Sequence, residues 1–199
     1  MNLSGSSPGG GTWEPLATIV LDACVLLNLC ASGRISDVLT TVARSHILSG
    51  YVSRERLWYL APGDQIAATL VRRAVALGPL IAARLIEVVE LTPNEMPTFI
   101  ALARDLGDGE AASGAIAVSR SAAVATDDRK ARQMLAHGPA PVVTIGTAAL
   151  LRAWEASAGI ARAEIVATID AIRVGARFEP RRDDPDVDWW HDRRRASDR

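Results

Sequence analysis

The sequence has few of the features of disulfide-bonded or membrane proteins. Its only two cysteines, Cys24 and Cys30, lie in one apolar run, which favours free thiols over a disulfide framework or metal ligands. No apolar run approaches the roughly 20 residues of a bilayer span. The amino terminus, MNLSGSSPGGGT, lacks the basic and apolar regions of a signal peptide. We therefore expect a cytoplasmic protein that has no membrane segment.

Aromatic residues and net charge are also scarce. Aromatics make up 5 % of the 199 residues although hydrophobic residues make up 49 %, so Ala, Val, Leu and Ile must build the core. That composition favours helices packed on a sheet in one domain. The formal charge of −1 argues against a broadly basic nucleic-acid binder, but it is compatible with a local basic groove.

The apolar pattern predicts alternating strands and helices. Strands are predicted within residues 16–22, 46–53, 85–92, 122–126 and 141–146. Helices are predicted at 24–31, 35–44, 54–61, 65–77 with Asp64 as N-cap, 95–106, 109–121, 128–136, 147–157 and 161–173. The expected fold is a three-layer α/β/α sandwich with a mainly parallel sheet of four or five strands.

Composition divides the chain into three parts. Residues 1–14 are rich in Gly and Ser and are predicted to form a flexible leader. Residues 15–177 form the predicted domain. Residues 178–199 carry many charges of both signs and few aliphatic side chains, which is typical of a tail outside the core. Trp189 and Trp190 are the exception in this tail, and we expect them to anchor it to a surface.

Acidic residues follow two predicted strands and begin one predicted helix. Asp22 ends the first strand, Asp127 and Asp128 follow the fourth, and Glu110 lies near the start of the helix at 109–121. In an open α/β sheet, the carboxyl ends of strands share one edge with the N-termini of the helices that follow. We therefore expect a carboxylate pocket for Mg²⁺ or Mn²⁺, since both ions prefer oxygen ligands.

Each of these residues has a structural alternative. An aspartate that directly follows a strand can cap the next helix, and acids near a helix N-terminus are stabilised by its dipole. Arg129, Lys130 and Arg132 follow the acidic turn. They could hold a phosphate backbone, or they could form a solvated helix face.

Two segments resemble the PIN domain, the nuclease fold of many bacterial toxins of toxin–antitoxin pairs (VapC-like proteins). The segments are IVLDACVLLNLCASGRI and LGDGEAASGAIAVSRSAAVATDDRKAR, and the resemblance extends over residues 19–178. It places Asp22, Glu110 and Asp128 at the family's first, third and fourth acids, with Thr126 as the accompanying hydroxyl and Asp127 as a further candidate ligand. The run GTAALLRAWEASAGI resembles a PIN subgroup found beside candidate antitoxins.

The resemblance implies an endoribonuclease that depends on Mg²⁺ or Mn²⁺, with RNA as its substrate. It also implies an antitoxin that lies across the acidic pocket and inserts a basic side chain, and it is compatible with a homodimer. The family's second acid falls at Tyr59, which carries no carboxylate. Glu55 either substitutes for it or is an exposed carboxylate of the predicted helix.

Three other functions remain to be weighed. The first is a PIN-like binding module whose weakened acid set acts through RNA or protein contacts without cleavage. The second is a haloacid-dehalogenase-like phosphatase, which needs a second Asp at the position of Cys24. The third is a receiver domain, but no adjacent acidic pair precedes Asp22. The sequence favours the metal-dependent ribonuclease.

Overall fold

The computed structural model describes residues 15–63 and 69–195. The predicted leader at residues 1–14, the predicted N-cap Asp64 and the last residues of the chain, 196–199, lie outside the described residues.

Five parallel strands form the main sheet. The strands of the chain are β1 (Leu16–Leu21), β2 (Ala43–Ser49), β3 (Trp58–Pro62), β4 (Leu70–Ala74), β5 (Glu87–Val89), β6 (Ala123–Ala125) and β7 (Thr144–Ile145). The order in the main sheet is β5-β2-β1-β6-β7, and every neighbouring pair is parallel. Strands β1, β5, β6 and β7 lie within segments predicted as strands. Strand β2 begins at Ala43, inside the helix predicted at 35–44, and it ends at Ser49, so the second half of the strand predicted at 46–53 is wrong.

Helices cover both faces of the sheet. They are α1 (Ala23–Ser32), α2 (Ile35–Val42), α3 (Gly50–Ser53), α4 (Leu77–Ala82), α5 (Met96–Leu102), α6 (Asp108–Arg120), α7 (Arg129–His137), α8 (Thr147–Ala158), α9 (Arg162–Gly175) and α10 (Val187–Arg195). Helices α1, α2, α8 and α9 pack together on one face, whereas α5, α6 and α7 form the other layer. The predicted three-layer α/β/α sandwich is therefore confirmed.

The buried parts of β1 and β6 are apolar on both faces. Ile19 and Leu21 of β1 point into the core beneath α1, α8 and α9, whereas Val20 belongs to the core beneath α6. Strand β6 repeats this alternation with Val124 on the α6 side. Such two-sided burial is typical of parallel sheets, and it removes the polar alternation that a half-exposed strand would show.

The predicted helices at 54–61 and 65–77 are wrong within the described residues. Strands β3 and β4 instead form a separate antiparallel hairpin, in which Trp58 pairs with Ala74 and Leu60 with Arg72. This hairpin packs on α1 and α9. A Cβ on Gly175 of α9 would lie 2.7 Å from the Leu60 carbonyl oxygen, so the absence of a side chain allows this close approach. Tertiary packing outweighs the local helical pattern here.

The charged C-terminal segment packs on the domain as far as Arg195. Trp190 of α10 has 0 % exposure, belongs to the main core and meets Phe178 edge to face, with ring centroids 5.6 Å apart. Trp189 is partly buried and donates its indole N–H to Glu155 Oε2 at 2.9 Å. The predicted anchoring by the two tryptophans is thus present. The segment from residue 178 to Arg195 is part of the folded unit although its composition is typical of a tail.

Across both described ranges, the helices lack either the length or the apolar character that crossing a bilayer requires.

Trp190 offers a test of how strongly the C-terminal segment stabilises the fold. We expect Trp190→Ala to lower the free energy of unfolding by about 3 to 5 kcal/mol, because it empties a large buried site. The indole nitrogen has no hydrogen-bond partner among the described residues, so Trp190→Phe, which keeps most of the packing, should cost clearly less. Urea unfolding of both variants measures the difference. Equal stability of Trp190→Ala and the wild type would contradict this role.

Candidate functional site

The candidate site lies where the strand order reverses. From β1 the chain continues to β2 on one side, and β6 lies on the other side of β1. Crevices at such switch points, beyond the carboxyl ends of the strands, are where open α/β sheets bind ligands. Leu21 pairs with Ala125, and the Asp22 N–H donates to the Ala125 carbonyl at 3.0 Å. This register brings Asp22 beside Thr126.

Thr126 links the two aspartates that follow these strands. Its hydroxyl donates to Asp22 Oδ2 at 2.9 Å and accepts the Asp128 N–H at 3.1 Å. Asp22 and Thr126 are only 3 % and 1 % exposed. The structure thus brings three of the predicted site residues together through two hydrogen bonds.

Both aspartates also cap helices. Asp22 Oδ1 accepts the Ala23 N–H at the start of α1, and Asp128 Oδ1 accepts the Ala131 N–H in the first turn of α7, each at 2.8 Å. A carboxylate has about four acceptor positions, so one capping bond leaves capacity for a ligand.

Glu110 and Glu55 meet Asp22 around one cavity, which we call the acidic cavity. Its volume is about 360 Å³. The residues that line it are Asp22, Ala23, Cys24, Glu55, Gly107, Asp108, Gly109 and Glu110. Glu110 Oε2 accepts the Gly107 N–H at 3.1 Å, which fixes this side chain across the first turn of α6.

The carboxylates of the site act on one another. Burial raises the pKa of Glu110 above its ordinary value of 4.5, and the charges of Asp128, Asp22 and Glu55 raise it further, against the hydrogen bond from Gly107. Burial also raises the pKa of Glu55, with a further contribution from the Asp22 charge. Because the folded state binds the Glu110 proton more tightly than the unfolded state does, protonated Glu110 stabilises the fold at low pH. This contribution is lost as pH rises from the ordinary pKa through the raised one.

Glu55 follows α3 instead of lying on a longer helix. The side chain faces α6 where Gly109 leaves space for it, since a Cβ on Gly109 would collide with Glu55 Oε1. Tyr59 lies in β3 opposite Arg73 and does not line the acidic cavity. Of the two residues considered for the second acid, the structure therefore brings Glu55 to the site.

The Asp127 carboxylate contacts α1 and α8 and not the acidic cavity. Its Oδ2 accepts hydrogen bonds from Asn28 Nδ2 at 2.9 Å and from the Thr147 hydroxyl at 2.6 Å, and its Oδ1 accepts the Thr147 N–H at 2.8 Å. Burial raises the pKa of Asp127, although the bonds from Thr147 oppose this shift. Asp127 thus joins α1, β6 and α8, and it is not among the residues that line the acidic cavity.

Three residues near the site were not predicted from the sequence to have a role there: Cys24, Asn28 and Thr147. The Cys24 thiol donates to Asp22 Oδ2 at 3.3 Å, and its sulfur accepts the Asp127 N–H at the same distance. Burial and the charges of Asp22 and Asp127 raise the pKa of Cys24. Asn28 could have been identified, because it is the one amide within the apolar run of α1. Thr147 carries no comparable signal.

The three basic residues after the acidic turn are engaged in ion pairs. Arg132 Nη1 lies 2.7 Å from Asp184 Oδ2, and Arg129 Nε lies 3.6 Å from Asp183 Oδ2, both in the C-terminal segment. Lys130 pairs with Asp105 at 3.3 Å. The Arg129 and Lys130 pairs are more than half exposed, so each stabilises the fold by about 1 kcal/mol or less.

The donor set fits a hard divalent cation in its chemistry. All candidate ligands are carboxylate oxygens, and Glu110 Oε1 and Asp128 Oδ2 have no hydrogen bond within the described ranges. Within the described ranges, the structure has no group of three or more His, Cys, Asp or Glu side chains arranged so that they could hold one metal ion. Mg²⁺ usually takes one or two protein carboxylates and keeps several waters, so it does not require three protein ligands.

The mutual influence of the carboxylates can be measured. We expect Glu55→Gln to lower the pKa of Glu110, because the substitution removes a negative charge that disfavours ionisation of Glu110. Carboxyl-carbon NMR titration of Glu110 gives the value. Asp105→Asn is the control, since Asp105 is exposed and pairs with Lys130. An unchanged Glu110 pKa in Glu55→Gln would show that the two groups do not share a site.

Comparison of the chain with protein-family models, with curated proteins and with solved structures found no match.

Proposed function

We propose that the protein is a Mg²⁺- or Mn²⁺-dependent endoribonuclease of the PIN type, acting in the acidic cavity. The observation that carries this proposal is the convergence of carboxylates from separate parts of the chain at the switch point of a parallel sheet. Asp22, Glu55 and Glu110 line one cavity, and the Asp128 charge contributes to the raised pKa of Glu110. The resemblance of the two motif segments to PIN domains supplies the substrate class.

Glu110, which lines the acidic cavity, and Asp128, which does not line it but whose charge acts on Glu110, are the residues proposed to hold the cation directly. Each uses one oxygen for a helix-capping bond and keeps the other without a hydrogen bond among the described residues. A bound Mg²⁺ or Mn²⁺ would activate water and neutralise charge that develops on the phosphodiester. Glu55 would add negative charge at the entrance, and Asp22 would contribute from the buried side of the site.

Thr126 and Cys24 position Asp22. Both donate hydrogen bonds to Asp22 Oδ2, while the Ala23 N–H holds Oδ1. This carboxylate is therefore fixed on both oxygens before any ligand arrives. Pre-organisation of this kind lowers the reorganisation that a charged ligand or transition state would otherwise require.

RNA is the proposed substrate, and an antitoxin is a proposed partner. Carboxylates that raise one another's pKa attract a cation, and a basic side chain can take the place of a metal ion. An antitoxin segment that inserts Arg or Lys would therefore compete with the metal for the acidic cavity.

A binding module without cleavage is the second candidate. It is favoured by the capping bonds, because Asp22, Glu110 and Asp128 each stabilise the start of a helix whether or not a metal binds. This candidate predicts Mn²⁺ affinity in the absence of RNA hydrolysis, and the cleavage assay below separates the two functions.

Asp128→Asn tests the catalytic assignment. We expect it to reduce Mn²⁺-dependent cleavage of a mixed RNA pool by about a hundredfold or more, a loss typical of removing a transition-state charge partner. The fold should persist, because an Asn side chain can still accept the Ala131 N–H as N-cap. Circular dichroism of the same sample checks this, and Asp105→Asn serves as the matched control. Full cleavage by Asp128→Asn would reject the site, and wild-type cleavage that survives EDTA would reject the metal.

Glu55→Gln tests whether this residue replaces the missing second acid. We expect it to weaken Mn²⁺ binding severalfold by isothermal titration calorimetry, because Glu55 lines the acidic cavity beside Asp22. Glu90→Gln is the control, since Glu90 is an exposed glutamate that pairs with Arg54 outside that cavity. Equal Mn²⁺ affinity of Glu55→Gln and the wild type would mean that the site works with the other three acids.

A further inference from the structure

A second cavity, which we call the arginine cavity, is lined in part by a residue next in sequence to one that lines the acidic cavity. Its volume is about 410 Å³. It lies between α1, the start of the β3–β4 hairpin and the end of α9, and its lining includes Arg56, Arg72, Arg177 and Trp58. No carboxylate lines it among the described residues. Glu55 lines the acidic cavity and Arg56 lines this one, so consecutive residues contribute to the two cavities.

The three arginines of this cavity have no carboxylate partner in the part of the chain that the structure describes. In contrast, Arg129 and Arg132 near the acidic turn pair with Asp183 and Asp184. A guanidinium group that has no acid partner keeps its fork of N–H donors available for a phosphate. The absence of nearby acids also means that no internal ion pair has to break when an anion binds.

Trp58 provides a stacking surface in the same cavity. Its side chain is 45 % exposed, although a large aromatic ring is usually buried. The Arg72 guanidinium carbon lies over the ring, 3.9 Å from its centroid, in a cation–π contact. An exposed aromatic ring among cations is the combination with which proteins bind single-stranded nucleic acids, because bases stack and phosphates pair.

The backbone at Arg177 is a further sign of function. Arg177 follows the C-cap of α9 and has φ of 55°, in the left-handed region. Glycine is the usual residue at this position because it has no Cβ to strain. An arginine here costs backbone energy, and such strained residues occur at binding sites as well as at helix ends.

We propose that the arginine cavity binds single-stranded RNA next to the acidic cavity, with Arg56 and Arg177 on phosphates and Trp58 stacked on a base. This inference rests on the proposed function, because an RNA strand cut at the acidic cavity that continues past Glu55 would next meet Arg56. The proposed path of the RNA strand is the cleft between α1, the hairpin and α9. An acidic protein segment is the competing occupant, and the test separates the two.

The test is binding of a fluorescein-labelled oligouridylate to the full chain, measured by fluorescence anisotropy over a series of salt concentrations. EDTA is present so that binding is measured without cleavage. The double variant Arg56→Gln/Arg177→Gly should bind more weakly and should lower the slope of log K against log salt by about 1.4, at about 0.7 for each lost phosphate contact. Trp58→Ala should weaken binding about tenfold with an unchanged slope, because stacking releases no counterions.

Two controls separate binding from folding. Arg44→Gln removes the same charge from an exposed residue in β2 that does not line the cavity, and it should change neither affinity nor slope. Arg177→Gly should not lower the midpoint of thermal unfolding, because glycine adopts φ of 55° without strain. Weaker RNA binding by a variant of equal or higher stability is the expected result.

The inference is overturned if the wild type does not bind the oligouridylate, or if the double variant keeps the wild-type slope. It is also overturned if an oligoglutamate peptide displaces the RNA from the wild type and binds more tightly than RNA. Its failure is distinguishable from failure of the proposed function. RNA binding that depends on Arg56 and Arg177, without cleavage in Mn²⁺, would reject the nuclease and retain this surface.

Discussion

The hydrogen bond from the Thr126 hydroxyl to Asp22 Oδ2, 2.9 Å long, joins the ends of the central strand β1 and its neighbour β6 at the carboxyl edge of the sheet. It requires β1 and β6 to be neighbours in the register that pairs Leu21 with Ala125. That register depends in turn on apolar side chains packing on both faces of the sheet, since a shift by one residue would exchange those faces. The same hydroxyl accepts the Asp128 N–H, so the start of α7 is oriented by this one contact. The position of the acidic turn therefore follows from the packing of the core.

Helix N-termini explain how the fold accommodates several carboxylates in one place. Asp22 begins α1, Glu110 lies in the first turn of α6, and Asp128 begins α7. Each accepts a backbone N–H there, and each lies at the positive end of a helix dipole, which offsets part of the repulsion between the acids. The capping interpretation and the metal-ligand interpretation are thus compatible for these residues. Capping holds the acids in the absence of a metal, and their mutual repulsion leaves them receptive to a cation.

The sequence could predict the main sheet and the acids at its edge, because both follow from local patterns. A continuous apolar run that ends in an acid predicts both a buried strand and the position of its acidic side chain. The β3–β4 hairpin could not be predicted in this way, since it depends on packing against Gly175, which is far away in the sequence. Tyr59, where the resemblance places the family's second acid, lies in β3 and not on the predicted helix. The different roles of Asp127 and Asp128 could not be predicted from the sequence either. They depend on the backbone N–H that each carboxylate accepts, from Thr147 for Asp127 and from Ala131 for Asp128.

Basic side chains lie on two sides of the acidic site, but on one side they are already paired with acids. Packing of Trp190 brings the C-terminal segment against α7, where Asp184 and Asp183 engage Arg132 and Arg129. The Arg132 pair is the stronger of the two, because both of its side chains are more than three-quarters buried. A phosphate that approached from this side would have to displace carboxylates already in place. On the other side, the cavity that begins at Arg56 contains cations and an exposed indole with no acid among its described lining residues. The proposed path of the RNA therefore runs along the hairpin and α9, where the cavity offers positive charge without acidic side chains, and this hairpin is the segment whose helical pattern misled the sequence analysis.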